Sequence, residues 1–86
     1  MKKIAIFASG SGSNAENIIQ YSQEHNTFEV TKIYCNNPTA GVISRAFVLN
    51  VPTLVFNKYI FKETQTIVND MISDSVDAVV LAGFLW

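Results

Sequence analysis

Ile4-Ala5-Ile6-Phe7-Ala8-Ser9-Gly10-Ser11-Gly12-Ser13-Asn14 is the stretch that decides how the rest of the chain is read. It opens on apolar residues that stop abruptly at Ser9-Gly10-Ser11-Gly12, the pattern of a buried strand entering a turn. From Asn14 the period changes: Ala15, Ile18, Ile19 and Ser22 recur at the spacing of one helix face, and the helix is expected to stop near His25-Asn26. A strand, a Gly/Ser turn and a helix in direct succession are the opening unit of an α/β fold.

The same alternation continues outward from this unit. Phe28 to Cys35, with Val30, Ile33 and Tyr34, predicts a second strand closed by Asn36-Asn37-Pro38, because proline cannot continue the pairing. Gly41 to Leu49 predicts a second helix, with Val42, Ile43, Ala46 and Phe47 at helical spacing and Asn50 as terminator. Val51 to Phe56 reads as a third strand, and Thr64, Ile67, Val68, Met71 and Ile72 as the apolar stripe of a third helix, opposite polar Gln65, Asn69 and Asp70. Val76 to Phe84 supplies a fourth strand. Parallel strands need crossover helices, so the expected fold is α/β, a Rossmann-like open parallel sheet of strand order 3-2-1-4. Helices one and two then cover one face and helix three the other. Strand four becomes an apolar edge exposing Val79 and Leu81, from which either self-association through that strand and its aromatic end, Phe84 and Trp86, or incomplete folding in dilute solution is expected. The 86 residues read as one unit, the front portion of a longer domain.

Composition narrows the partners. The chain is 49% hydrophobic and 15% charged, and six Lys and Arg against seven Asp and Glu give a net charge of -1. No basic stripe is available to neutralise phosphates in series, so nucleic acid is not an expected partner. No apolar run approaches the roughly 20 residues of a bilayer crossing, and the run behind Met1-Lys2-Lys3 ends at Ala8, so neither a membrane nor an export signal is expected. The single cysteine, Cys35, has no partner for an internal disulfide, and the single histidine, His25, cannot build a metal cluster with it at that spacing. A reducing, cytoplasmic setting without a metal is expected.

The turn between strand one and helix one is where chemistry is expected. Free backbone N–H groups and the positive end of the helix dipole converge there, which suits an anion. Gly10 is read as permitting the turn and Gly12 as letting an oxyanion approach the backbone, while Ser11, Ser13 and Asn14 add side-chain donors. A structural reading stands beside this one: Ser13 as helix cap with Glu16 completing a Ser-x-x-Glu capping box. Gly10-x-Gly12-x-x-Ala15 also satisfies the dinucleotide pattern, which keeps an NAD-binding Rossmann fragment among the alternatives. That pattern wants an acid at the end of strand two, where this chain has Cys35-Asn36-Asn37. A loop of hydroxyl and amide donors suits a terminal phosphomonoester better. No Lys-Ser/Thr pair follows the glycines, which sets aside Walker-type nucleotide hydrolysis.

Together, the opening stretch quoted above, the strand exit Asn36-Asn37 and Val79-Val80-Leu81-Ala82-Gly83-Phe84-Leu85 resemble the amino-terminal half of the phosphoribosylglycinamide formyltransferase family of purine biosynthesis. The resemblance spans essentially the whole chain. It implies transfer of a formyl group from the co-substrate 10-formyltetrahydrofolate to the amine of glycinamide ribonucleotide. It further implies that Gly12, Ser13 and Asn14 hold the ribonucleotide phosphate, that Gly83 and Leu85 line the substrate site, and that Leu85 and Trp86 meet the folate. The family's catalytic Asn, His and Asp lie in the second half of its domain, so no catalytic residue is expected in this chain. Trp86 stands where many relatives carry an Arg. A further Arg of relatives, near the folate's glutamate tail, falls around Thr64, with Lys62 as a substitute cation.

Other residues are read blandly. Cys35 is taken as a small buried hydrophobe, His25 as an exposed helix-end residue, and Arg45 as a solvated charge on helix two. Tyr34, Phe56, Tyr59 and Phe61 are taken as core or rim aromatics, and Asp70, Asp74 and Asp77 as solvated acids. The competing function from another class is a phosphate- or nucleotide-binding module without chemistry.

Overall fold

Burial along β1 (Lys2–Ala8) sets the two layers: Ile6 and Ala8 face one side and Ala5 and Phe7 the other, all of them buried. A strand covered on both faces belongs in the interior of a parallel sheet. The computed structural model describes residues 1–86 and shows that sheet. β2 (Phe28–Cys35) and β4 (Ala78–Leu81) pair parallel with β1, and β3 (Thr53–Val55) pairs parallel with β2, giving the order β3-β2-β1-β4. This is the expected topology.

α1 (Ser13–His25) and α2 (Gly41–Val48) cover one face, packing Ala15, Ile19, Val42 and Ala46 on Ile6, Ala8, Val30, Ile33 and Cys35. The other face gathers Ala5, Phe7, Tyr34, Phe56 and Ile67. Its cover is α4 (Thr66–Ser73) together with α3 (Lys58–Glu63), a short helix absent from the sequence reading. Asn57 caps α3 by accepting from the Ile60 N–H at 2.9 Å, a local signal that precedes too few apolar repeats to stand out as a helix.

A register shift between Ile4 and Ala5 decides which β2 side chains face which layer. Ile4 pairs with Val30 but Ala5 pairs with Lys32, so Thr31 is the extra residue, and its hydroxyl donates to the Ile4 carbonyl at 3.2 Å. The bulge lets Val30 and Ile33 share one face although their spacing is odd, and it turns Lys32 and Tyr34 toward α4.

Several expectations are corrected. Phe47 is 81% exposed, because α2 meets the sheet through Val42 and Ala46 and its far side faces solvent. Thr64 caps the end of α3 instead of opening the next helix, and of the expected stripe Ile67 is buried while Val68 and Ile72 are exposed beside β4. The three acids are all engaged. Asp70 accepts from Lys32 Nζ at 2.7 Å and from the Tyr34 hydroxyl at 2.6 Å, Asp74 lies 3.3 Å from Lys32, and Asp77 accepts from the Lys3 N–H at 2.8 Å. Strands three and four are shorter than expected: Pro52 precedes the first, and the second leaves its ladder at Ala82 for a turn at Gly83, φ +71°. No helix is long and apolar enough to cross a membrane.

Candidate functional site

β1 and β4 are neighbours, so the turn after one and the segment after the other emerge side by side at the carboxyl edge of the sheet. Ligands of open α/β sheets bind at such an edge. The Ser9 N–H donates to the Gly83 carbonyl at 3.2 Å, tying the two segments directly.

The Gly10–Asn14 turn is built differently from the capping-box expectation. Gly12, buried and left-handed at φ +82°, is the residue that caps α1, and its carbonyl accepts the first helical bond from the Glu16 N–H at 2.8 Å. Ser13 makes no capping bond. The Glu16 carboxylate is drawn instead to Arg45, whose Nη1 lies 2.7 Å away, while Arg45 Nε donates to the Ser11 carbonyl at 2.6 Å. With Gly12 as the cap, Glu16 stands one position beyond the one a capping box uses, and its carboxylate is free for the Arg45 fork. Arg45 is therefore a brace on the loop and not a solvated charge.

α2 clamps the same turn from beneath. The Val42 N–H donates to the Gly10 carbonyl at 3.1 Å, and a Cβ on Gly12 would fall 2.5 to 2.6 Å from atoms of Val42. The glycine requirement at Gly12 thus comes from helix packing and backbone hand. Gly10, by contrast, has a negative φ, and a Cβ there would meet nothing within 4 Å, so the turn does not require glycine at that position. With three loop carbonyls used inward by Val42, Arg45 and Glu16, the N–H groups of Gly10 to Asn14 have no protein acceptor. Ser11, Ser13 and Asn14 are exposed.

The segment after β4 holds its side chains in an aromatic cluster. Phe84 meets Phe7 edge-on at 5.3 Å, and Trp86 packs on Phe61 at 5.3 Å and on Phe56 at 5.5 Å. Lys58 Nζ stands 5.8 Å from the Trp86 ring centre, a cation on an aromatic face. Lys62, the expected substitute cation, lies in the last turn of α3, exposed. Phe7, Phe61, Met71, Val79, Leu81, Phe84 and Trp86 line an apolar groove of about 380 Å³ between this cluster and β4. Leu85 is exposed, but both of its main-chain groups are taken: its N–H donates to Ser9 Oγ at 2.9 Å, and its carbonyl accepts from Asn36 Nδ2 at 3.1 Å. Asn36, at the exit of β2 where a dinucleotide site would want an acid, is committed to this contact.

The bland readings hold for Cys35 and His25, and for Tyr34, Phe56, Tyr59 and Phe61 as core or rim aromatics. Cys35 is buried in the α1–α2 face, and His25 is exposed at the end of α1, its ring 4.1 Å from that of Tyr21. About 20 Å of helix separates His25 from the loop. Tyr34 is fully buried, and its hydroxyl is held protonated by burial first and by the Asp70 hydrogen bond second. The Lys32 hydrogen bond, followed by that of Tyr34, draws the Asp70 carboxyl below its ordinary range.

Comparison with known proteins bears on this arrangement. Residues 2–86 match the family described as formyl transferase. The chain belongs to that family. It is 36% identical, over an alignment 92 positions long with gaps, to phosphoribosylglycinamide formyltransferase of Bacillus subtilis (strain 168), covering 99% of this chain and 46% of that protein. Its fold is similar to glycinamide ribonucleotide transformylase 1 from Geobacillus kaustophilus, with a TM-score of 0.89 and 33% identity over all of this chain and 48% of the other. Phosphoribosylglycinamide formyltransferase from Bacillus halodurans gives 0.81 and 35%, covering 99% of this chain and 46% of its own. The chain spans about half the length of these relatives.

Within this chain, the loop residues Gly12, Ser13 and Asn14 and the segment residues Gly83, Leu85 and Trp86 come to one edge, as the sequence reading placed them. Sequence reasoning missed Ser9, Asn36 and Arg45 as partners of these segments. The available signal was polarity out of place: a serine ending a buried strand, and an arginine between apolar Ile43 and Ala46.

Proposed function

We propose that this chain forms the phosphate-binding half of a phosphoribosylglycinamide formyltransferase. In that reaction the bond between the formyl carbon and N10 of 10-formyltetrahydrofolate breaks, a C–N bond to the glycinamide ribonucleotide amine forms, and the amine's proton is returned to N10. The observation that carries the reading is the juxtaposition of the loop's unpartnered N–H groups with the aromatic segment after β4, joined through Ser9 and Gly83. Gly12, Ser13 and Asn14 hold the 5'-phosphate at the positive end of α1. Gly83 and Leu85 border the ribonucleotide, and Leu85 and Trp86 border the folate. The N–H groups of Gly83, Phe84 and Trp86 have no protein acceptor, and flat aromatic rings lie beside them, a surface that fits the polar edge and apolar face of a pterin.

This chain's part is to bind and orient. His25 is too far from the loop to move the reaction's proton, so residues 1–86 alone transfer formyl at no more than background. A cytoplasmic location goes with this chemistry. In residues 1–86 by themselves β4 is an edge whose Val79 and Leu81 are 48% and 66% exposed, and we propose that a second copy of these residues pairs there when they are isolated.

The test is titration of the ¹⁵N-labelled chain with glycinamide ribonucleotide, inorganic phosphate and NAD, with formyl transfer followed in parallel by folate absorbance. The expected result is movement of the Gly12, Ser13 and Asn14 amides with the first two ligands and no turnover. Tighter binding of NAD, or no response at these amides, sinks the phosphomonoester assignment.

A further inference from the structure

Past Leu81 the chain has left its ladder: the Ala82 N–H donates to the Phe7 carbonyl at 2.9 Å, Gly83 then turns at φ +71° with its carbonyl accepting from the Ser9 N–H at 3.2 Å, and no further main-chain bond ties residues 84–86 to β1. A segment beyond the ladder of an edge strand is where local opening is least costly. Here it is held by a closed circuit of hydrogen bonds. The Leu85 N–H donates to Ser9 Oγ at 2.9 Å, the Ser9 hydroxyl donates to Asn36 Oδ1 at 2.7 Å, and Asn36 Nδ2 donates to the Leu85 carbonyl at 3.1 Å.

Each group in this circuit uses its donor and its acceptor in one sense only. With the Leu85 N–H on its oxygen, the Ser9 hydroxyl turns its proton toward Asn36, so the Asn36 carbonyl oxygen must face Ser9 and its amide nitrogen must face Leu85. The opposite amide orientation would set oxygen against the Leu85 carbonyl. Bonds chained in one direction polarise one another, so the circuit holds more firmly than three separate contacts. It crosses the ends of β1, β2 and β4, with Ser9 immediately before the Gly10–Asn14 loop.

We propose that Ser9 and Asn36 are positioning residues, a clasp that fixes residues 83–86 against the loop and consumes the main-chain groups of Leu85, so that the N–H groups of Gly83, Phe84 and Trp86 are the ones left for the ligand. The proposal rests on the folate reading above for the identity of that ligand. The clasp itself is read independently, because Trp86 is the only tryptophan and reports the segment directly.

The experiment compares the 86-residue chain with Ser9→Ala, Asn36→Ala and Ser9→Thr, the last keeping the hydroxyl. Three quantities are measured: Leu85 amide exchange, Trp86 emission, and quenching of Trp86 by folic acid. Loss of one net hydrogen bond is about a tenfold effect. Both alanine variants are expected to exchange the Leu85 amide about tenfold faster, to shift Trp86 emission to the red, and to bind folic acid about tenfold more weakly. Ser9→Thr restores all three, while phosphate-induced shifts at Gly12, Ser13 and Asn14 stay as in the parent. Unchanged Leu85 exchange and Trp86 emission in Ser9→Ala overturn the clasp. Loosened exchange with undiminished folic acid binding overturns its positioning role. Loosened exchange in a series where even the parent fails to bind folic acid supports the clasp and defeats the folate reading instead.

Discussion

Gly12→Ala is the substitution for which the structure gives the sharpest expectation. The methyl group would be forced into contact with Val42, at 2.5 Å from Cγ2 and 2.6 Å from both Cα and Cβ, while the backbone stays at φ +82°. A left-handed conformation costs a non-glycine residue about 1–2 kcal/mol, and overpacking of this kind about 1–3 kcal/mol. The sum, about 2–5 kcal/mol, is a large share of the roughly 4–13 kcal/mol that 86 residues usually hold at the typical per-residue stability. Urea unfolding followed by Trp86 fluorescence measures it, with Gly10→Ala as the control, expected within about 0.5 kcal/mol of the parent as at an ordinary surface site. The second variant is Gly12→Ala with Val42→Ala. Because two of the three close atoms belong to the Val42 backbone and Cβ, trimming the side chain recovers less than half of the loss. Full rescue by Val42→Ala, or equal costs at Gly10 and Gly12, would refute the argument that α2 and the hand of the backbone impose glycine at this turn.

Three further outcomes are expected. Arg45→Met should lower stability by about 1 kcal/mol, as for a half-exposed pair with one added hydrogen bond, and weaken phosphate binding several-fold in the ¹⁵N titration; Arg45→Lys should not restore it, since one ammonium cannot serve both Ser11 and Glu16 as the fork does. Asp70→Asn should cost about 1–3 kcal/mol near neutral pH by leaving Tyr34 and Lys32 with a poorer acceptor. Its pH dependence follows from the lowered Asp70 pKa: the stabilisation is present above the unfolded value of about 3.9 and is lost as pH falls through the folded one. The raised Lys32 and Tyr34 values, set first by the Asp70 hydrogen bond and by burial respectively, lose their share only on the alkaline side, so urea midpoints of the variant should show a flatter acid limb than the parent's. Sedimentation should find concentration-dependent dimers of the parent and monomers of Leu81→Lys, whose charge blocks pairing at the β4 edge; equal association of the two would remove β4 as the interface.

Local pattern was enough for the strand–turn–helix opening, the α/β alternation and the parallel sheet, because apolar period and turn residues are properties of neighbouring positions. It also brought the loop and the Gly83–Trp86 segment to one edge, since strand order 3-2-1-4 makes β1 and β4 adjacent. What the pattern could not carry was pairing between distant positions. Thr31 reads as one more strand residue until its bulge turns Lys32 and Tyr34 toward Asp70, 38 and 36 residues away. The glycine at position 12 reads as clearance for an anion until Val42 is found beneath it, and Glu16 as half of a capping box until Arg45 takes its carboxylate. Ser9 and Asn36 belong to the stretches that carry the family resemblance, yet nothing in the sequence pairs them, and only the meeting of three strand ends closes their circuit on Leu85. Hydrophobic period is written along the chain, whereas the partner of a polar side chain is chosen by whatever folding brings within about 3 Å of it.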